Sequence, residues 1–467
     1  MALKFRNVLT RRVQTFHSLE PGVVKMYADG PTVDAHVHLS LARRIVVNDL
    51  IKRVLLVRGY RVVHVMNITD LDDRTIAASA EAGEDLRTHT RRFEQAFFDD
   101  METLGVLPAD YTPRTSDHIE QMLELTRKLM QAGYCYEMLR NVYFDVSKTR
   151  GYGRFSGVNP DKIRVGSTVD LDDYEKDDPR DFVMFKRCDL AELRRGIGVK
   201  SEWGNVRPGW HVQCAAMSTH YLGLKFDLHV STRDLAFPHH ENEIAIVSAL
   251  TGQPPAHTWL HSELVYAGGK KMSAFSGNMK TVRDLREAGF DGRLLRFWMI
   301  SCHYRQPLQY SEEGLEQARA ALARIDGFAR RLRHARGAKR HPELAALAMK
   351  AESDFFAALD DDLNISAAMA VFGDFVRKTN ALQAEQPLSR ADARDALATL
   401  YRIDAVLGVF DFADDQLDRE IEELLARRET ARAAGDYTAA DAIRDELRQR
   451  GFQISDTPHG PSIEPVE

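Results

Sequence analysis

Residues 23–66 read VVKMYADGPTVDAHVHLSLARRIVVNDLIKRVLLVRGYRVVHVM. The β-branched run from Val23 to Tyr27 predicts a strand, Gly30-Pro31-Thr32 a loop, and Val62 to Met66 a second strand. Between them, Leu39 to Leu56 carries apolar residues at helical spacing. A strand, helix and strand of this length make a right-handed crossover between parallel neighbours, so the expected fold class is α/β with a doubly wound, Rossmann-type parallel sheet. Ligands of such sheets bind beyond the carboxyl ends of the strands. That rule puts the Gly30 loop and the Asn67-Ile68-Thr69-Asp70 turn at the binding edge.

Outward from this unit the pattern loosens from about 115 to 200, with Tyr143-Phe144, a Gly-rich stretch at Gly151 to Gly157 and the acidic Asp170 to Asp181. We read it as an insertion between two halves of the sheet. Trp203 to Met217 and Phe226 to Ile246 return to strand, loop and helix. Ser311 is a helix N-cap candidate, the helix after it carries Leu315, Ala318, Leu322 and Ile325 on one face, and helices continue to about Phe410. The last segment carries two short amphipathic helices, one with Leu417, Ile421, Leu424 and Arg428 and the other with Ala440, Ile443 and Leu447. Gly435 lies between them and Gly451 is the expected C-cap. The domains expected are therefore 1–310, 311–410 and 411–467.

The chain has 467 residues, ample for a sizeable core, and a formal charge of -6. A nucleic-acid surface must then be a local basic patch on an acidic body. Arg319, Arg324, Arg330, Arg331, Arg333, Arg336, Lys339 and Arg340 form one such run. Composition alone favours a solvated helix face slightly over a phosphate-binding stripe. No stretch is apolar enough for a membrane span, and four sparse cysteines, Cys135, Cys188, Cys214 and Cys302, fit a reducing, cytoplasmic setting.

Cys214 ends the run Arg207-Pro208-Gly209-Trp210-His211-Val212-Gln213-Cys214, and Phe237-Pro238-His239-His240-Glu241-Asn242-Glu243 comes after it. His239 and Glu243 are four apart, so on a helix they share a face. With a thiolate they make a zinc-like donor set; without a metal they are a buried cysteine beside a helix-capping cluster. The residues alone leave both readings open.

Gly30 to Arg43, Thr69-Asp70-Leu71-Asp72-Asp73, Arg207 to Met217, Phe237 to Glu243 and the run Gly-Gly-Lys-Lys-Met-Ser-Ala-Phe-Ser-Gly-Asn at Gly268 to Asn278 together resemble the cysteinyl-tRNA synthetase family. The resemblance runs from Leu9-Thr10-Arg11 through Thr115-Ser116-Asp117-His118-Ile119 to Ala439-Ala440-Asp441-Ala442-Ile443-Arg444. It implies a class I architecture: a catalytic sheet domain with a connective insertion, an α-helical anticodon-binding bundle and a small C-terminal helical domain. The implied reaction is attack of the cysteine carboxylate on the α-phosphate of ATP, with Mg2+, then transfer of the cysteinyl group to tRNA. A monomer with one Zn2+ is implied too.

Carried over residue by residue, the resemblance assigns catalysis to His38 and Lys271, ATP contacts to Thr32, His38, Asp234, Lys271 and Ser273, the amino-acid pocket to Thr69 and Trp210, and the metal to Asp29, Cys214, His239 and Glu243. Several positions depart from the family pattern. His38-Leu39-Ser40-Leu41 replaces a glycine by Ser40 and a polar phosphate contact by Leu41, and Lys271-Met272-Ser273-Ala274-Phe275 lacks its second lysine. Lys270 or Lys280 would have to reach inward to replace it. Val230-Ser231-Thr232 stands where a Gly-Gly-Gly turn is expected, and Asp29 where the first zinc ligand is a cysteine. Losing one preorganised charge-stabilising donor costs about 10² to 10³ in rate, so a weakened ATP site is expected. Three activities stay open on these residues: a cysteine-tRNA ligase of reduced rate, a tRNA-binding paralogue that activates no amino acid, and a ligase for a different acceptor.

Overall fold

The computed structural model describes residues 2–159, 176, 178, 180–272, 277–450, 452–457 and 460–465. Four parallel strands form the central sheet in the spatial order Ala256–Ser262, Phe226–Thr232, Val23–Ala28, Arg61–Met66. From Val23–Ala28 the chain steps outward to Arg61–Met66 through the helix Leu39–Val57. It then returns to lay Phe226–Thr232 against the other side of Val23–Ala28. The switch point thus lies between the carboxyl ends of Val23–Ala28 and Phe226–Thr232. A crevice opens there because the two connections leave in opposite directions.

The Leu39–Val57 helix is buried on nearly every side, by Ile45, Val46, Val47, Leu50, Ile51, Val54 and Leu55 among others. His38 caps it, its Nδ1 accepting the Leu41 N–H at 3.2 Å, so the helix starts at the crevice. A smaller sheet joins Val265–Ala267 to Lys270–Lys271 and Leu308–Tyr310 and carries Lys271 to the same edge.

The insertion is more regular than its sequence suggests. Its strands Cys135–Met138, Asn141–Phe144, Phe182–Arg187, Gly204–Pro208 and Val199–Ser201 form an antiparallel five-stranded sheet, which carries the insertion to Pro208 rather than to about 200. One hairpin was illegible for a physical reason: its two-residue turn is Leu139-Arg140, at φ 49° and 66°, where Asn-Gly would be the usual signal. Of the acidic stretch Asp170 to Asp181, residues 170–175, 177 and 179 lie outside the described residues.

The helices Glu312–Arg333, Leu344–Asp360, Ile365–Glu385 and Arg390–Leu407 come next along the chain. Ser311 caps the first through Gly314 N–H at 3.0 Å, and Leu315, Ala318, Leu322 and Ile325 are buried as their spacing predicts. In the basic run, Arg319 pairs with Glu316 and Arg340 with Asp395, whereas Arg324, Arg330 and Lys339 are exposed.

The chain divides into two compact units, residues 1–409 and 410–467. In the second, the helices Ala413–Ala433 and Tyr437–Gln449 bury Leu424, Ile443 and Leu447 together, with Gly435 at φ 77° between them. The first helix is longer than expected. A hairpin, Phe452–Thr457 with Gly460–Pro465, lies beyond them where no strand was expected. Gly451, the expected cap, lies outside the described residues. No described helix is long and apolar enough to cross a membrane.

Candidate functional site

Three segments converge at the switch point. Asp29 follows the strand Val23–Ala28 directly; Cys214 sits in the second turn of the helix Trp210–Leu222; His239 and Glu243 come from the turn and first helical residues after Phe226–Thr232. One donor atom from each of the four lies within 4.8 Å of the others, and all four residues are buried. His239 Nε2 is 2.6 Å from Glu243 Oε1 and 3.9 Å from Asp29 Oδ1. The i,i+4 spacing brings the pair together even though His239 lies in a wide turn before the helix Glu241–Thr251 begins.

A surrounding layer holds these donors in place. His240 Nε2 lies 2.9 Å from the outer oxygen of Asp29, and His229 Nε2 lies 3.0 Å from the outer oxygen of Glu243. As Nε2–H tautomers both imidazoles donate, which turns the remaining carboxylate oxygens inward. His211 Nδ1 lies 2.9 Å from His239 Nδ1, so the Nδ1–H form of His239 donates there and leaves its Nε2 lone pair facing the cluster. Trp210 stacks on His239 at 4.0 Å, and Trp259 on His229 at 4.0 Å.

The residues present fit a divalent cation. Asp29 Oδ1 is buried with no hydrogen-bond partner, and it faces the same point as His239 Nε2 and Glu243 Oε1, which have only each other at 2.6 Å. Burial raises the carboxyl of Asp29, but His229 and the bond from His240 outweigh it and hold the group ionised. Burial, then Glu243 and Asp29, push the Cys214 thiol well above its usual range. A thiolate at that point therefore needs a cation beside it. Thiolate, imidazole and carboxylate together suit Zn2+.

Above the cluster lies a cleft of about 400 Å³. Thr32, His38, Thr69, Trp210, Asp234 and Lys271 line it together with Asp29 and Cys214 of the cluster. Lys271 Nζ pairs with Asp234 at 2.7 Å. Burial, then Arg44 and Arg74, lower the His38 imidazole to about 4, so it is neutral at pH 7. Lys270 and Lys280 are exposed and absent from the lining. Ser273, with Ala274 and Phe275, lies outside the described residues.

Residues 15–320 match the family model for the class I (C) tRNA synthetase catalytic domain, residues 354–411 the DALR domain, and residues 414–460 the cysteinyl-tRNA ligase anticodon binding domain. A cysteine–tRNA ligase of Geobacillus thermodenitrificans is 39% identical over 464 residues, covering 98% of each chain. The chain belongs to the cysteinyl-tRNA synthetase family. A cysteine–tRNA ligase of Chlamydia muridarum is likewise 39% identical, over 100% of each chain. The methionyl-tRNA synthetase of Mycobacterium tuberculosis in complex with methionyl-adenylate has the same fold, with a TM-score of 0.61 at 16% identity over 83% of this chain and 90% of that one.

Two of the cysteinyl-tRNA synthetase motif departures have structural consequences. Ser40 is buried, and its Oγ accepts the N–H of Val265 at 3.3 Å, so the residue in the glycine position anchors the strand that leads to Lys271. Val230-Ser231-Thr232 forms no turn; it completes the strand Phe226–Thr232 with every side chain buried. Sequence reading missed His211, His229 and His240, and also Arg44. The signal available for His229 was its alternation along a strand whose Ser231 points the same way, which is too short a pattern to suggest a function.

Proposed function

We propose that this chain is a cysteine–tRNA ligase that activates cysteine with ATP and Mg2+ and transfers it to a cysteine-type tRNA. The observation that carries the reading is the Asp29, Cys214, His239 and Glu243 cluster at the amino-acid end of the switch-point cleft. These four residues would hold Zn2+, which when bound supplies a soft centre selective for the substrate thiolate over a hydroxyl. Asp29 makes that centre harder than a two-cysteine site, so discrimination against serine should be weaker.

Thr69 and Trp210 enclose the amino acid, whose carboxylate then points outward along the cleft. Thr32, His38 and Asp234 hold ATP with its α-phosphate facing that carboxylate, and Lys271 and Ser273 supply donors to the phosphates. Neutral His38, whose Nδ1 accepts the Leu41 N–H, carries its proton on Nε2 and donates from there without adding charge. In the first step the carboxylate oxygen bonds to the α-phosphorus and pyrophosphate leaves with the bonding electrons. A hydroxyl of the terminal tRNA ribose then attacks the carbonyl and releases AMP. Preorganised donors carry most of the acceleration; with Ala274 in the second lysine position the rate is expected to be reduced.

We assign residues 1–310 to catalysis, 311–410 to an anticodon-binding bundle and 411–467 to a terminal tRNA-binding domain, with the chain acting as a monomer. Amino-acid-dependent exchange of pyrophosphate into ATP tests the reading on zinc-loaded protein. Exchange with cysteine well above that with serine is expected. Folded protein that binds tRNA but exchanges with no amino acid would be a non-activating paralogue, and exchange with a different amino acid would be another ligase.

A further inference from the structure

Among the described residues, three side chains bring full positive charge to the cleft: Arg44, Arg74 and Lys271. Two are already matched by carboxylates, Arg74 by Asp34 at 2.6 Å and Lys271 by Asp234 at 2.7 Å. Arg44 differs. Among the described residues it has no carboxylate within ion-pair distance; its Nη2 donates to the Gly30 carbonyl at 2.8 Å, and its Nε is buried with no partner at all.

Arg44 is not simply the counterion of Asp29. Asp29 takes its hydrogen bond from His240, and its other oxygen faces His239. Asp29 and Asp234 act on the guanidinium with no hydrogen bond or ion pair to it. The cleft places it: Arg44 lines it together with Asp29 and Cys214 of the cluster and with His38 and Asp234. Arg44 is half-buried, and a guanidinium whose Nε is shut from solvent without a partner is costly unless an anion meets it; its planar fork suits carboxylate or phosphate oxygens.

We propose that Arg44 is an anion-binding residue of the cleft, receiving the oxygens of the amino-acid carboxylate or of the α-phosphate that it attacks. The assignment rests on the ligase reading above. As the carboxylate–phosphorus bond forms and the bond to pyrophosphate breaks, negative charge stays on the non-bridging oxygens and no proton moves. Arg44 donors at that junction stabilise the charge and take over part of the task left by Ala274.

Full-length, zinc-loaded protein and its Arg44→Gln and Arg44→Lys variants are compared by equilibrium dialysis, with ATP–Mg2+ and with cysteine separately, alongside metal content and melting temperature. We expect Arg44→Gln to weaken one ligand about tenfold or more, the loss of one charge-assisted contact, at unchanged metal content and melting. Weakening of ATP alone assigns the phosphate and of cysteine alone the carboxylate; Arg44→Lys recovers part of the loss. Unchanged affinity for both ligands in a folded Arg44→Gln variant overturns the proposal. Should that variant not fold, 15N-arginine-labelled parent protein decides: the Arg44 Nε–H resonance, identified by its absence from Arg44→Lys, shifts with one ligand, and no shift with either overturns the proposal. Parent protein that binds both ligands yet shows no cysteine-dependent exchange defeats the ligase reading while the Arg44 comparison stands, and parent protein that binds neither defeats both.

Discussion

At the scale of single residues, the cluster turns on Asp29. A carboxylate there offers one oxygen to the centre while its other oxygen is tied to His240, so the side chain is oriented before any cation arrives. Asp29→Ala should lower bound zinc, measured by elemental analysis after dialysis, by about 10-fold or more, in line with the about 10- to 100-fold typical when a metal site loses support. Asp29→Cys should retain the metal and sharpen cysteine-over-serine discrimination in the exchange assay. Retention of full zinc by Asp29→Ala would remove Asp29 from the donor set. The identity of the residue was plain in the sequence, but its pairing with His240 was not, because 211 positions separate them.

At the scale of elements, the Leu39–Val57 helix is held by a buried ion pair, Asp49 with Arg296 at 2.5 Å, both side chains without exposure. Arg296 also donates to the carbonyls of Leu407, Leu104 and Gly105, so one guanidinium ties the helix to chain segments far apart in sequence. Arg296→Ala should destabilise the fold by about 3 kcal/mol, read by denaturant unfolding, because it takes the donor from three carbonyls and leaves Asp49 with Arg53 as its one counterion among the described residues. A loss below about 1 kcal/mol would show that water replaces the pair.

His64, on the strand Arg61–Met66, sets a pH limit. Burial, reinforced by Lys52, lowers its imidazole to about 3. The unfolded chain takes up that proton below about pH 6.5 whereas the folded chain resists until about 3, so stability is complete above 6.5 and falls as pH drops through this window. Replacing His64 by Leu should flatten the decline of unfolding midpoint between about pH 7 and pH 4; an unchanged slope would assign the decline to other groups.

At the scale of the whole molecule, residues 410–467 form a compact unit with its own small core. A chain ending at Val409 should therefore keep cysteine-dependent pyrophosphate exchange within about twofold. Its tRNA affinity should fall at least tenfold, with a shallower dependence on salt if the lost contacts are to phosphates. Equal tRNA affinity in the two forms, measured by filter binding across a salt series, would take tRNA binding away from the terminal unit.

What the sequence determined by itself was everything periodic or local. The crossover at 23–66 and the capped helix after Ser311 are legible because spacing along the chain carries them, and Asp29, His38, Cys214, His239, Glu243 and Lys271 were singled out because the short runs that hold them resemble a family's motifs. Tertiary structure alone decided what depends on distant partners. The Leu139-Arg140 turn goes against local preference and is imposed by the strands it joins, and Ser40 became an anchor only once Val265 was beside it. The imidazole layer around the Asp29 cluster and, among the described residues, the lack of a carboxylate partner for Arg44 are likewise properties of the switch point, where elements far apart in sequence end side by side.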